Sequence, residues 1–121
     1  MEKIVIDGIE YIPLSEAKNK KASLKKGLEY CIVRTYSAGV FAGYYDRKIK
    51  GKEGIVYNAR RLWYWSGASS LSQLAMEGVK NPDDCKFPCE VDNIILTEVI
   101  EIIDCTEKAR KSIKGVQIWK Q

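Results

Sequence analysis

Short runs of apolar, β-branched and aromatic residues alternate with turn-forming residues along most of the chain, and this pattern predicts strands. The first two runs, residues 4–6 and 9–12, flank Asp7-Gly8, a pair that favours a tight hairpin because glycine tolerates positive φ. The polar stretch that follows, residues 15–26, has apolar positions too sparse for the buried face of a helix. We interpret it as a lysine-rich linker or a frayed helix.

Three more strands are predicted in the first half of the chain. The runs at residues 29–36 and 40–45 are rich in strand-forming side chains, and the small residues between them predict a second hairpin. Residues 55–65 form a third run, which ends in a dense group of aromatic residues. This third strand leads directly into the first predicted helix.

That helix is predicted from its capping signals. Ser70 followed by Gln73 is a capping-box pattern, in which a hydroxyl and an amide satisfy the first N–H groups of a helix. Gly78 predicts the end of the helix after about two turns. Residues 80–92, which contain two prolines and two aspartates, then predict an ordered surface loop.

The remaining elements complete an α+β fold. Residues 94–103 are dense in β-branched side chains and predict a strand, and residues 104–114 predict a second helix that ends before a glycine. We therefore predict a single α+β domain, an antiparallel sheet of about five or six strands with two short helices on one side. Residues 1–27 would form an N-terminal hairpin and lysine-rich linker, and residues 28–121 the compact domain.

Composition narrows the classes of function. The chain has 121 residues, of which 45% are hydrophobic and 30% charged, without an export signal or an apolar run long enough for a membrane span. We therefore expect a cytoplasmic protein. It contains no histidine, which removes the commonest general base and the histidine-dependent nucleophile pairs. Its four cysteines are expected to be reduced thiols and not zinc ligands. We therefore predict no metal and no cofactor.

Residues 58–70 are the strongest candidate for a binding site. They combine two arginines, three aromatic rings and a run of serine and glycine, a composition that suits a flat, anionic ligand. Either arginine is predicted to be the phosphate clamp, because the sequence does not reveal the pairing register that would decide between them. Alternation along a strand would place one arginine on each face, Arg61 with Trp63 and Trp65, and Arg60 with Leu62 and Tyr64.

Further residues complete this predicted site. The start of the first helix favours an anion through its unpaired N–H groups and its dipole, and two aromatic residues of the second hairpin could form another wall. For any single aromatic residue, the alternative interpretation is a core or interface position. The predicted ligand-binding residues are Arg60, Arg61, Trp63, Tyr64, Trp65, Ser66, Gly67, Ser69, Ser70, Tyr36 and Phe41.

Four motifs carry a resemblance to a known family. They occupy residues 34–43 (RTYSAGVFAG), 58–65 (NARRLWYW), 69–75 (SSLSQLA) and 85–88 (CKFP). With these motifs the chain resembles, over roughly residues 28–119, a family of small uncharacterised proteins encoded by phages and prophages. The resemblance implies a setting, the cytoplasm of an infected bacterial host, and it implies no activity and no site residues.

Two classes of function are predicted for that setting. The first is an anti-defence protein, a sponge that sequesters a nucleotide-derived immune signal such as a cyclic oligonucleotide or an ADP-ribose derivative, without catalysis, in pockets of a homo-oligomer. The alternative is an accessory factor that binds nucleic acid or protein through the lysine-rich segment and the apolar tail at residues 116–119. A metal-dependent phosphodiesterase is a weaker third class, because no metal-ligand spacing supports it. No membrane partner is expected.

Overall fold

The structure is a computed structural model that describes residues 4–6, 9–11, 20–46 and 51–120. The predicted turn at Asp7-Gly8 and residues 12–19, which include the first part of the predicted linker, lie outside the described residues. The strands are β1 (Ile4–Ile6), β2 (Ile9–Tyr11), β3 (Glu29–Thr35), β4 (Val40–Asp46), β5 (Gly54–Arg61), β6 (Val91–Leu96) and β7 (Val99–Asp104). The helices are α1 (Leu71–Glu77) and α2 (Glu107–Gly115), and Pro82–Asp84 form a short 3-10 helix.

Five of the strands form one antiparallel sheet in the order β6-β5-β4-β3-β7, and β1 pairs with β2 as predicted. The two helices contact each other, and α1 also contacts β3. Each helix begins at a side-chain cap, since the Ser70 hydroxyl accepts a hydrogen bond from the Gln73 N–H and the Thr106 hydroxyl accepts one from the Ala109 N–H. The predicted α+β domain with one antiparallel sheet and two short helices is therefore confirmed.

The order of the strands forces the sheet to curl. Strands β6 and β7 lie at opposite edges of the sheet, yet only Thr97 and Glu98 separate them along the chain. Two intervening residues can span at most about 11 Å between the flanking Cα atoms. The edge strands of a flat five-stranded sheet would lie about 19 Å apart. The two edges must therefore approach each other where β6 passes into β7.

The curled sheet separates two cores. The inner core takes its buried side chains from β3, β4, β5 and β6, and partly buried residues of β7 pack against it, so the sheet itself closes around it. Its buried members are Cys31, Val33, Phe41, Tyr45, Val56, Ala59 and Leu96. The helix-side core lies on the other face, where α1 and α2 cover the sheet. Its members include Tyr30, Ile32, Ala42, Tyr44, Leu62, Leu74, Ala75, Phe87, Ala109 and Ile113. Alternation along each strand thus sends neighbouring residues to different cores.

The structure corrects the strand predicted at residues 94–103. That segment belongs to two strands, β6 and β7, which Thr97 and Glu98 separate. Neither residue is a glycine or a proline, so the sequence carries no turn signal at the point where the chain changes direction.

The strand predicted at residues 55–65 also ends earlier than expected, at Arg61. Its partner β4 begins at Val40, and the Leu62 N–H donates to the Val40 carbonyl at 2.8 Å, at the very start of that partner. Because β4 does not extend further, the ladder cannot continue. The aromatic residues that follow therefore leave the sheet, and the alternation predicted for them does not hold beyond Arg61.

The described end of the lysine-rich segment, residues 20–26, packs against the start of α2. Ala22 is buried, and the Ser23 N–H donates to the Glu107 carboxylate at 2.7 Å. The Arg110 guanidinium donates to the same carboxylate at 2.6 Å, and together these bonds lower the pKa of Glu107 to about 2. Over these residues the segment is docked on the domain and does not form a free linker.

Candidate functional site

An exposed group of aromatic side chains with a lysine at its centre is the clearest candidate for a functional surface. The indole rings of Trp63 and Trp119 stack with their centres 5.2 Å apart and an interplanar angle of 12°. The Lys86 ammonium lies 5.2 Å from the centre of the Trp63 ring. It lies 5.9 Å from the rings of Tyr64 and Trp119. We call Trp63, Tyr64, Lys86 and Trp119 the aromatic cluster.

Three short segments that lie side by side hold the aromatic cluster together. The Lys86 N–H donates to the Tyr64 carbonyl at 2.8 Å, which joins the segment after β5 to the loop before β6. Phe87 in that loop forms a parallel bridge with Ile118, and the Trp119 N–H donates to the Phe87 carbonyl at 2.9 Å. Segments that are distant in sequence therefore converge at one place.

The cluster presents an unusually apolar surface to solvent. Trp63 is 58% exposed and Tyr64 is 52% exposed, and the adjacent Ile118 is 52% exposed. Single exposed apolar residues are common, but contiguous ones mark interaction surfaces. Indole and phenol rings beside an ammonium group can stack against a planar ligand while the cation attracts an anion.

Arg60, one of the two predicted phosphate clamps, is almost fully buried and fastens the segments that support the cluster. It is 2% exposed, and its guanidinium donates to three backbone carbonyls. These belong to Pro88 at 2.9 Å, Ile113 at 2.7 Å and Phe87 at 3.1 Å. Burial lowers the pKa of Arg60. The end of β5 is thereby tied both to the loop before β6 and to α2.

A cavity of about 440 Å³ opens beside Arg60. Within it the Lys114 ammonium, from the last turn of α2, pairs with the Glu90 carboxylate at 2.8 Å. Ile118 also lines this cavity and precedes Trp119 in the chain, so the cavity adjoins the aromatic cluster. We call it the Arg60 cavity, and its lining residues are Arg60, Cys89, Glu90, Lys114, Val116 and Ile118.

Arg61, the other predicted clamp, points to the opposite face of the sheet. Its guanidinium lies 4.4 Å from the centre of the Phe41 ring and donates to the Ala38 carbonyl at 2.6 Å. Tyr36, which was predicted to form a second wall with Phe41, is 76% exposed and lies, like Ala38, in the segment between β3 and β4. The structure therefore groups Arg61 with Phe41 and does not bring it together with Arg60.

The serines before α1 form hydrogen bonds within the protein. The Ser69 N–H and hydroxyl donate to the Gln73 side-chain oxygen at 2.9 and 2.8 Å, and the Ser70 hydroxyl accepts from the Gln73 N–H at 3.1 Å. The Ser66 hydroxyl accepts from the Asn81 side chain at 3.2 Å. The start of this seven-residue helix is thus occupied by its own capping groups.

Two further predicted site residues have packing roles. Trp65 is half-buried against the helix-side core. Gly67 has φ of +88° and lies against the backbone of the loop after α1, where an added Cβ would come within 2.5 Å of the Lys80 nitrogen. Neither residue joins the aromatic cluster.

Of the eleven predicted site residues, the structure brings only Trp63 and Tyr64 together in one exposed group. Sequence reasoning missed Lys86 and Trp119 as their neighbours. Trp119 had a signal, because an apolar tail that ends in tryptophan was expected to pack against something. Lys86 had no sequence signal of a binding role, since nothing in its surroundings distinguishes it from the other lysines of the chain.

A second cavity, of about 520 Å³, lies between residues 25–28 and the sheet. The Lys25 ammonium donates to the Asn58 side-chain oxygen at 2.6 Å and lies 5.8 Å from the centre of the Tyr44 ring. Among the described residues, only Lys26 and Asn58 are non-glycine residues with positive φ, and both line this cavity. We call it the tyrosine cavity, lined by Lys25, Lys26, Leu28, Tyr44, Asp46, Tyr57, Asn58 and Asp92.

Other features add no candidate site. The four cysteines are free, and only Cys89 is exposed. In the part of the chain that the structure describes, no three cysteine, aspartate or glutamate side chains gather as a possible metal site. The described helices include none that is long and apolar enough to cross a membrane.

Comparison with known proteins places the chain in a family. The family described as Domain of unknown function (DUF6948) matches residues 28–113, which include Arg60, Trp63, Tyr64 and Lys86. No curated protein and no solved structure matches the chain. The match covers most of the domain that carries the aromatic cluster, but Trp119 lies beyond its end.

Proposed function

The chain belongs to this domain family of unknown function, and we propose that it binds single-stranded nucleic acid, without catalysis, by stacking bases on the aromatic cluster. The observation that carries the proposal is the stack of the exposed Trp63 on the half-buried Trp119, with the Lys86 ammonium beside it. Aromatic platforms with interleaved cations are the usual means of binding single strands irrespective of sequence.

The energetics of stacking favour this surface. A base that stacks on an aromatic side chain contributes about 1–3 kcal/mol to binding. Trp63 and Tyr64 each expose more than half of their surface, so a base can reach them without rearrangement of the core. Lys86 lies among the rings and can neutralise a backbone phosphate, and the net charge of +4 attracts a polyanion.

The openness of the surface favours a polymer over an enclosed small ligand. Sites for small molecules are concave and bury about 70–90% of the ligand. The aromatic cluster is an open surface, so a stacked base would leave its flanking nucleotides free to continue along the chain. The groups of the cluster are indoles, a phenol and an ammonium, and we propose no catalytic step for them.

Replacement of Trp63 by alanine is expected to weaken binding of an oligothymidine about tenfold, because one stacking surface is lost. Fluorescence anisotropy of a labelled oligonucleotide at fixed salt measures the dissociation constant. Tyr36→Ala is the matched control, since it removes another highly exposed aromatic side chain outside the cluster. It should bind like the wild type.

Two results would contradict the proposal. The first is an absence of binding by the wild-type protein at low salt, where electrostatic attraction is strongest. The second is equal weakening by Trp63→Ala and Tyr36→Ala, which would assign the effect to general surface hydrophobicity.

The tyrosine cavity favours a second candidate, the sequestration of a nucleotide-derived immune signal by a phage-encoded anti-defence protein. Its aromatic walls, lysines and Asn58 amide offer stacking, phosphate contacts and base-edge hydrogen bonds in a volume suited to a nucleoside. Lys26 and Asn58, the two described non-glycine residues with positive φ, line this cavity. Such backbone strain is concentrated at functional sites.

For this candidate we expect Tyr57→Ala to weaken binding of a cyclic dinucleotide or of ADP-ribose about tenfold, because Tyr57 forms a wall of the cavity. Calorimetry measures the affinity, and denaturation of the complex should release the ligand unaltered. Trp63→Ala is the control that should have no effect. If neither compound binds the wild-type protein, this candidate is removed.

A further inference from the structure

The Arg60 cavity contains a buried positive charge that forms no hydrogen bond with a carboxylate of the described residues. Arg60 is 2% exposed, and its three bonds to described residues all go to backbone carbonyls. A guanidinium has five N–H groups, so two remain available. Burial of an unpaired charge is unfavourable, and an anion in the adjacent cavity would relieve it.

The other charged residues of the cavity leave it positive. Lys114 and Glu90 pair with each other, so their charges cancel and the charge of Arg60 remains. Glu90 lies near enough to influence Arg60 electrostatically, but among the described residues its ion pair is with Lys114. The lining thus has a net charge of one positive unit beside a space of about 440 Å³.

A buried hydroxyl group lies close to the same charges. Tyr30 is 1% exposed, and its hydroxyl has no hydrogen-bond partner among the described residues. Burial is the main reason that the pKa of Tyr30 is raised, while Glu90 adds to the rise and Arg60 opposes it. The Lys114 ammonium, which belongs to the cavity lining, lies 6.0 Å from the centre of the Tyr30 ring, so the phenol is buried close to the cavity.

The cavity and the aromatic cluster share a structural element. The Phe87 carbonyl accepts hydrogen bonds both from the Arg60 guanidinium at 3.1 Å and from the Trp119 N–H at 2.9 Å. The Arg60 side chain and the Trp119 backbone therefore share one hydrogen-bond acceptor, the Phe87 carbonyl oxygen. A nucleotide whose base stacks on the cluster can direct its phosphate towards Arg60.

We propose that the Arg60 cavity binds a phosphate monoester, with Arg60 and Lys114 as the cationic donors. Guanidinium and ammonium donors together match the several acceptor oxygens of a dianionic phosphate. The identity of the ligand rests on the proposed function, since the monoester would be the terminal phosphate of a strand that stacks on the aromatic cluster. Inorganic phosphate has the same chemistry and is the minimal probe.

The test compares three versions of one oligonucleotide, phosphorylated at the 5′ end, at the 3′ end or at neither end. One phosphorylated version is expected to bind about tenfold more tightly than the unphosphorylated strand, because it gains charge-assisted hydrogen bonds in the cavity. Inorganic phosphate is titrated in parallel by calorimetry, with adenosine and its 5′-monophosphate as small probes.

Two substitutions in the Lys114–Glu90 ion pair distinguish an electrostatic effect on phosphate binding from a structural one. Lys114→Gln and Glu90→Gln both break the Lys114–Glu90 pair, so a structural effect of that loss would be the same in both. Their effects on an anion have opposite signs: Lys114→Gln should weaken phosphate binding about tenfold, and Glu90→Gln should strengthen it about threefold. Lys111→Gln, on the same helix but outside the lining, is the charge-matched control.

The outcomes distinguish this inference from the proposed function. Opposite responses of the two variants to phosphate support the anion site. If these opposite responses occur but a phosphorylated oligonucleotide binds no more tightly than the unphosphorylated one, free phosphate is assigned as the ligand of the cavity. If no phosphate species binds while the unphosphorylated strand does, the inference is overturned and the proposed function stands. If phosphate binds as expected but no oligonucleotide binds, the proposed function is overturned and the anion site stands.

Discussion

Replacement of Arg60 by alanine is expected to lower the free energy of unfolding by about 3–5 kcal/mol. The substitution removes three hydrogen bonds and leaves the carbonyls of Phe87, Pro88 and Ile113 without their charged donor. It also opens a void at a side chain that is 2% exposed. Urea unfolding followed by tryptophan fluorescence measures the loss, provided that the transition stays two-state.

Arg61→Ala is the matched control because it removes the same side chain from the next position of the same strand. Arg61 is exposed, and its guanidinium donates a hydrogen bond to the Ala38 carbonyl and lies over the Phe41 ring. We expect a loss below about 1 kcal/mol. Equal destabilisation by both variants would contradict the structural role that we assign to Arg60.

The same pair of variants tests the clamp that the sequence predicted. Loss of ligand binding in a folded Arg61→Ala protein would support Arg61 as a phosphate contact, as the sequence-based hypothesis requires. In the structure Arg61 faces away from Arg60, so we expect Arg61→Ala to retain the stacking interaction. Measuring both ligand binding and the free energy of unfolding of these two variants therefore distinguishes a ligand contact from a structural role.

Local signals predicted much of the fold. The pairing of β1 with β2 and the cap at Ser70 are short-range features, so a single stretch of sequence contains all the information that they need. The break between β6 and β7 was missed for the complementary reason. It follows from the closure of a curled sheet, a long-range requirement that leaves no local mark at Thr97 and Glu98.

The site was harder to predict because it depends on which segments meet. The sequence predicted Trp63 and Tyr64 as alternative stacking groups on opposite faces of a strand, whereas in the structure they lie in one cluster with Lys86 and Trp119, which come from segments far along the chain. Arg60 and Arg61 are chemically identical and adjacent, and only the register of β5 against β4 decides which of them is buried. Residue type alone could not assign one to the core and the other to the surface.

Gly67→Ala is expected to lower the free energy of unfolding by about 2–5 kcal/mol. Gly67 has φ of +88°, a conformation that costs an alanine about 1–2 kcal/mol. In addition, its Cβ would lie 2.5 Å from the Lys80 nitrogen and 2.7 Å from the Asn81 nitrogen. Both neighbours are backbone atoms, so the loop itself must shift, which adds an overpacking penalty of about 1–3 kcal/mol.

Gly27→Ala provides a control for the conformational part of this effect. Gly27 has φ of +78°, close to that of Gly67, but nothing lies within 4 Å of the position that its Cβ would occupy. We expect a loss of about 1 kcal/mol, so the difference between the two variants measures the steric part. Chemical unfolding of both proteins gives the comparison, and equal losses would contradict the close packing at Gly67.

The binding behaviour of the Gly67 variant then decides between a ligand contact and a structural role. The sequence predicted that Gly67 allows an anion to approach the backbone, and in that case an added methyl group would weaken binding even where the variant is fully folded. The structure instead places the loop backbone against this position. Below its unfolding transition, Gly67→Ala should therefore bind oligonucleotides and phosphate with wild-type affinity, because the steric conflict acts within the protein and not on the ligand.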